Sequence, residues 1–295
     1  MKTKAVSCGV TRRQFIGTMI TATVLAGLTK DVDGERAESR WQIGCYTRPW
    51  ANFDYQVALD GIATAGFKYA GLMTAKGGNI VTVKTTPEEA AAIGAEVKQR
   101  GLKAISMWGG SFGTNDELKR LIDNAAACGC PNLLLGGTSE KHADAYYKIV
   151  AECCDYAASK NVGLSVKPHG GNNANGAQCR KLIEKVGHKN FRLWYDPGNI
   201  FYYSDGKLDP VEDVAAVDGI VVGMSVKDFR PPKEVALTPG TGKVDFPRVM
   251  ARLKQGGFTS GPLVVECLNP GDLASINAEA VKARRFLESL TGQTA

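Results

Sequence analysis

Histidine is scarce in this chain. There are three in 295 residues, His142, His169 and His188, too few for a histidine-rich cluster of several metal ions. Long apolar runs are missing beyond residue 28, so no later segment is long enough to span a bilayer and an integral membrane protein is not expected. No stripe of Lys and Arg of the kind nucleic-acid binders carry is present. No glycine-rich phosphate loop follows an early strand, which argues against an open doubly wound nucleotide-binding sheet. The cysteines lack the spacing of a disulfide framework. Of eight, Cys8 lies near the N-terminus, and the other seven (Cys45, Cys128, Cys130, Cys153, Cys154, Cys179 and Cys267) are an odd set. Cys128-Gly129-Cys130 is too tight for half of a zinc site and has no complementary pair. Buried thiols packing as small apolar groups are the simpler reading.

What is present begins with an address. Thr11-Arg12-Arg13-Gln14-Phe15-Ile16 is a twin-arginine pattern, followed by an apolar stretch from Ile16 to Leu28. That length suits the apolar region of a signal and not a membrane span. Residues 1–37 are therefore expected to be a twin-arginine signal region. The protein is expected to engage the twin-arginine export machinery and to work in the periplasm or outside the cell. The formal net charge of +6 overstates that of the mature chain, because the signal carries several of the basic residues.

The remainder, residues 40–291, suits one domain. Short apolar runs alternate with helical patterns: Gln42–Tyr46, Tyr69–Met73, Lys103–Met107, Asn132–Leu135, Val162–Val166, Phe191–Tyr195, Ile220–Val226 and Leu263–Cys267 read as eight strands. Helix signals stand between them, the clearest being Thr86-Pro87-Glu88-Glu89, a cap residue, a proline at the first position and early acids. Eight such units predict a single-domain (β/α)8 TIM barrel of the α/β class. In that fold the reactive side chains stand at the C-terminal ends of the strands.

Those ends carry Lys167-Pro168-His169-Gly170-Gly171, Asp196-Pro197-Gly198-Asn199, Val226-Lys227-Asp228 and Val264-Val265-Glu266, with Gly240-Thr241-Gly242-Lys243-Val244-Asp245-Phe246-Pro247 before the last helical units. In this order the motifs resemble the sugar phosphate isomerase/epimerase family with the xylose-isomerase-like TIM barrel, over almost all of the mature chain. The resemblance implies a small-molecule sugar or glycoside as partner. It also implies one divalent ion (Mn, Mg, Co or Zn) held by Glu, Asp, His and Glu at the ends of strands five to eight. Carried over by motif, those positions are Lys167, Asp196, Ser225 and Glu266, and only Asp196 and Glu266 keep the family's residue. A protonated lysine cannot ligate a cation, and a serine hydroxyl is a poor ligand beside imidazole. Two expectations follow. Either Asp196 and Glu266 hold a metal weakly with His169 as third ligand, or the enzyme is metal-independent and Lys167 replaces a carboxylate and its metal. Endonuclease IV, a relative with three zinc ions in a histidine-rich site, is excluded by the histidine count and by export.

Period-two alternation puts Ser165, Lys167 and His169 on one side of strand five, Trp194 with Asp196, and Ser225 with Lys227. The barrel mouth is then expected to gather Lys167, His169, Asp196, Lys227 and Glu266. Lys167 and Glu266 are the candidate catalytic pair. His169, Trp194, Lys227 and Trp108 are candidate substrate contacts, with Trp194, Trp108 and Trp50 placed to stack on a sugar ring. Asp228 can serve simply to pin a loop, and His142 and His188 read as surface residues. Two classes of function fit: an isomerase, epimerase or 3-keto-glycoside lyase moving a proton next to a sugar carbonyl through an enediolate, or a non-catalytic sugar binder of the same fold. A homo-oligomer is compatible with either.

Overall fold

Eight parallel strands close on themselves in the computed structural model, which describes residues 40–293. The signal region expected over residues 1–37 lies outside the described residues. The strands are β1 (Trp41–Tyr46), β2 (Tyr69–Leu72), β3 (Lys103–Trp108), β4 (Asn132–Leu135), β5 (Gly163–Val166), β6 (Phe191–Tyr195), β7 (Val221–Val226) and β8 (Gly261–Val265). Each pairs with its sequence neighbours, and β8 closes the ring against β1 with Ile43 opposite Leu263. This is the (β/α)8 barrel that the alternation predicts.

The helices are α1 (Tyr55–Thr64), α2 (Pro87–Gln99), α3 (Asn115–Ala127), α4 (Ala143–Ser159), α5 (Gly176–Val186), α6 (Pro197–Tyr203), α7 (Pro210–Asp213), α8 (Phe246–Gln255) and α9 (Leu273–Thr291). Their starts are written locally. Thr86 and Glu89 form a complete capping box on α2, with Pro87 in the first turn, which satisfies two otherwise orphaned backbone groups. The (β/α)8 pattern has one helix after each strand, and the segment between β6 and β7, for which the sequence reading names no helix, departs from that. It holds two short helices, α6 and α7, and then a 3-10 turn at Val214–Val217. Pro197-Gly198-Asn199 reads as a loop, yet Pro197 is the first residue of α6 and Asp196 is its cap, accepting from Asn199 N at 3.0 Å.

The strands have two buried faces, as a parallel barrel requires. Leu164 and Val166 on β5 face the helices, and Leu193 and Tyr195 on β6 do the same. Tyr46, Met73, Ile105, Leu134, Trp194 and Val264 fill the barrel interior. Glycine makes room for the two largest of these. A Cβ on Gly71 would stand 2.1 Å from the Tyr46 ring, and one on Gly223 2.4 Å from the Trp194 ring. A polar chain crosses the same interior: Tyr46 Oη donates to Ser106 Oγ, Asn132 Nδ2 donates to Ser106 Oγ and Ser165 Oγ donates to Asn132 Oδ1, each at 3.0 Å. The seven described cysteines are free and buried. Burial pushes the Cys128 and Cys130 thiols up to about 12, so neither is a ready thiolate. Among the described residues no helix is long and apolar enough to cross a membrane.

Candidate active site

The inward side chains climb each strand with a period of two and change from apolar to charged at the C-terminal end. On β5 Ser165 is followed by Lys167, on β6 Trp194 by Asp196, on β7 Ser225 by Lys227 and on β8 Val264 by Glu266. All four charged groups are buried, at 1%, 0%, 2% and 1% exposure. Ions so placed demand partners, and they find one another. Lys167 Nζ lies 2.6 Å from Glu266 Oε2 and 2.9 Å from Asp196 Oδ2. Lys227 Nζ lies 2.6 Å from Glu266 Oε1 and 3.2 Å from Asp196 Oδ2. The result is a square of alternating charge across the barrel mouth.

A fifth charge joins it. Arg48, in the 3-10 turn Arg48–Trp50 after β1, donates from Nη1 to Glu266 Oε1 at 2.6 Å. Burial alone would raise the Glu266 carboxyl, but Lys167, Lys227 and Arg48 outweigh it and hold the group well below the usual carboxylate range. Burial likewise works to lower Lys227, and Asp196 and Glu266 overcome it and raise the ammonium. Asp196 is the less firmly held carboxylate. Its Oδ1 caps α6, while Oδ2 has only the two lysine ion pairs and no aligned hydrogen bond.

The motif residues fix this square. Lys227 Nζ donates to Asn199 Oδ1 at 3.1 Å, and Asn199 Nδ2 donates to Pro168 O at 2.6 Å, tying β7 to the loop after β5. Asn173 Nδ2 donates to Lys167 O at 2.7 Å. Asp228 is turned to the following loop, where it accepts from the backbone of Phe229, Gly240, Gly242 and Val244 at 2.8–3.1 Å. It pins the Gly240–Val244 segment and stands outside the square.

A cavity of about 270 Å³ opens above the charges, lined by Arg48, Met73, Thr74, Trp108, Lys167, His169 and Glu266. His169 stands at its rim between Trp108 and Tyr203, with ring centroids at 5.6 and 5.8 Å. Desolvation, Lys167 and Lys227 push its imidazole down to about 4. The residue is nevertheless exposed to solvent, so water screens part of that effect and the two lysines are its firmer cause. Trp108 forms one wall, in a space that Gly136 leaves open, since a Cβ there would stand 2.4 Å from the indole.

The structure thus brings together Lys167, His169, Asp196, Lys227, Glu266 and Trp108. It does not bring Trp194 to them. That indole is 1% exposed inside the barrel and lines a separate depression of about 440 Å³ at the N-terminal ends of the strands, with Gln42, Gly163 and Pro262. Alternation puts it on the right side of β6, one layer too deep. Trp50 is a core residue as well, buried completely with Nε1 donating to Asn277 Oδ1 at 2.9 Å. His142 and His188 are peripheral, as their helix-end positions suggest. Arg48 and Tyr203 are the residues that the sequence reading misses. Arg48 could have been found by the same count of two, since it follows inward-facing Tyr46. Tyr203 gives no such signal, because it comes from the uncounted helix α6.

The residues present do not fit a divalent metal ion. Two of the four positions that the resemblance assigns to ligands hold Lys167 and Ser225, and lysine ammonium groups stand 2.6–3.2 Å from the Asp196 and Glu266 oxygens. Ser225 Oγ is buried with no partner among the described residues. The trio Asp196, Glu266 and His169 does not replace the lost ligands: among the described residues no group of three or more His, Cys, Asp or Glu is arranged to hold a metal. The reason is electrostatic, since cations already neutralise both carboxylates.

A family model described as xylose isomerase-like TIM barrel matches residues 59–290. The chain belongs to that family. Solved structures with the same fold include D-psicose 3-epimerase in the presence of D-fructose, at 13% identity and a TM-score of 0.68, covering 85% of this chain and 99% of that one. A xylose isomerase domain protein from Planctomyces limnophilus is 20% identical with a TM-score of 0.67, covering 85% and 98%. D-allulose 3-epimerase from Methylomonas sp. is 18% identical with a TM-score of 0.64, covering 85% and 98%. No curated protein matches the chain. Within the xylose isomerase-like family the barrel mouth is the expected place for a site, and here that mouth carries the square of lysines and carboxylates.

Proposed function

We propose that this protein is a sugar isomerase or epimerase that moves a proton next to a sugar carbonyl with lysine ammonium groups, and no resident metal, as the electrophile. The observation that carries the reading is the square of Lys167, Lys227, Asp196 and Glu266. An enediolate forms only if the developing oxygen charge is stabilised while a base takes the carbon-bound proton. Fixed ammonium groups at a water-poor barrel mouth suit the first task. Glu266 suits the second, though its depressed pKa makes it a weak base while three cations surround it. The two tasks are linked. As Lys167 gives a proton to the carbonyl oxygen it loses the charge that depresses Glu266, and Glu266 becomes a stronger base at the moment it takes the proton from carbon. Returning that proton to the neighbouring carbon on the same face gives an isomer, and an epimer forms when a second acid on the opposite face supplies the proton. The same first step starts β-elimination from a 3-keto-glycoside.

Family membership and the fold shared with sugar 3-epimerases support a sugar substrate. The cavity of about 270 Å³ lies near the lower end of the roughly 300–1,000 Å³ typical of small-molecule sites, which suits a single sugar ring. The twin-arginine pattern at Arg12-Arg13 supports a place of action outside the cytoplasm, where free sugars and glycosides are met more often than metabolic phosphates. Incubation with ketoses, aldoses and 3-keto-glycosides in deuterated water, followed by NMR, tests the reading. Deuterium entering at the carbon beside the carbonyl supports it. A sugar that binds without exchange or elimination identifies a binding protein instead.

A further inference from the structure

Arg48 is left over once the square has balanced itself. Lys167 and Lys227 neutralise Asp196 and Glu266, two charges against two. Both Glu266 oxygens have a lysine at 2.6 Å without any help from the guanidinium. Arg48 uses one N–H, from Nη1, on Glu266 Oε1, and the described residues give the rest of its five-donor fork no further hydrogen bond. Its side chain is 41% exposed and lines the cavity. The other titratable groups at the mouth do not cancel its charge. Burial, Lys167 and Lys227 push His169 toward its neutral form, burial raises the Cys267 thiol against Lys227 and Arg48, and the Asp228 carboxylate faces the Gly240–Val244 loop, outside the cavity lining.

We propose that the substrate is a sugar acid, whose carboxylate is bound by Arg48 at the rim while the sugar carbonyl reaches Lys167. A planar fork with free N–H groups matches a carboxylate in two parallel hydrogen bonds. One surplus positive charge matches one negative charge, and a doubly charged phosphate would exceed it. The proposal rests on the reading of the mouth as a sugar site and adds the class of sugar.

Calorimetric titration with matched pairs tests it: D-glucuronate against D-glucose, and D-galacturonate against D-galactose, with glucose 6-phosphate and acetate as further ligands. Each uronate should bind about tenfold or more tighter than its neutral partner, the size of one charged hydrogen bond. It should also bind tighter than glucose 6-phosphate and acetate. Arg48→Met should abolish the preference, and Arg48→Lys should restore part of it at an unchanged melting temperature. Equal affinity within a pair, a preference that survives Arg48→Met, or tighter binding of the phosphate or of acetate would overturn the proposal. Failure of the reaction reading looks different: uronates would bind through Arg48 with no deuterium exchange. Neutral ketoses that exchange deuterium while uronates bind no better would leave the reaction standing and remove the sugar acid.

Discussion

Replacing Lys167 with methionine removes one positive charge and keeps most of the side chain's bulk. Five ionised groups meet at the mouth, three cations and two carboxylates, so the local sum falls from +1 to zero. Neither carboxylate is stranded. Glu266 keeps Lys227 and Arg48 at 2.6 Å, and Asp196 keeps Lys227 at 3.2 Å. Stranding a buried charge costs about 3–5 kcal/mol. Here the loss is closer to one charged hydrogen bond, about 1.5–3 kcal/mol, or roughly 3–12 °C in melting temperature for a domain of this size. Turnover should suffer more, because the ammonium acts on charge that develops in the reaction. Loss of one such donor reduces kcat by about 10²–10³. Deuterium exchange by NMR and a thermal melt measure both effects on one sample. Lys167→Met with turnover within tenfold of the parent would refute a catalytic role for Lys167. The double change Lys167→Met, Lys227→Met serves as a control, since it leaves two carboxylates against Arg48 alone and should cost at least about 3–5 kcal/mol.

His169 should titrate well below the usual 6.5 in an NMR pH series, and Lys167→Met or Lys227→Met should move it upward, because each removes a repelling cation; an unshifted imidazole would contradict the electrostatic picture. The same depression makes stability pH-dependent: its contribution is complete above about 6.5 and is lost as pH falls from there toward 4, since the unfolded chain takes up the proton first. Asp228→Ala should destabilise the fold by about 2 kcal/mol or more, because it orphans four backbone N–H groups, three of them in the Gly240–Val244 segment, and amide exchange should quicken there first. Changing both Arg12 and Arg13 to lysine should hold the protein in the cytoplasm, and fractionation that finds it exported all the same would remove the basis for export.

The barrel was legible because its determinants are local. Eight apolar runs of strand length and cap residues such as Thr86 all act within a few residues. Lys167, Asp196, Lys227 and Glu266 were legible for the same reason, as each closes a strand whose inward face follows from counting by two. Depth was not legible. Trp194 and Asp196 share a side of β6, but barrel tilt and register decide which layer reaches the mouth, and a period of two carries no height. Tyr203 was invisible because α6 begins at a Pro-Gly-Asn sequence that reads as a turn until Asp196 is seen capping it. The fate of Asp196 and Glu266 was not readable either. Carboxylates in a family motif suggest ligands, and only the 2.6–3.2 Å contacts reveal that ammonium groups already stand against them.

The claim at the centre is that two lysines do the work of a metal. Its most direct test is solvent deuterium exchange into a turned-over sugar by protein stripped with a strong chelator, measured before and after adding Mn²⁺, Mg²⁺, Co²⁺ or Zn²⁺, with metal content read by elemental analysis. The account predicts full exchange in metal-free protein, no gain on adding any of the four ions, and near-complete loss in Lys167→Met. Exchange that disappears with the metal and returns with one equivalent of a divalent ion would contradict it.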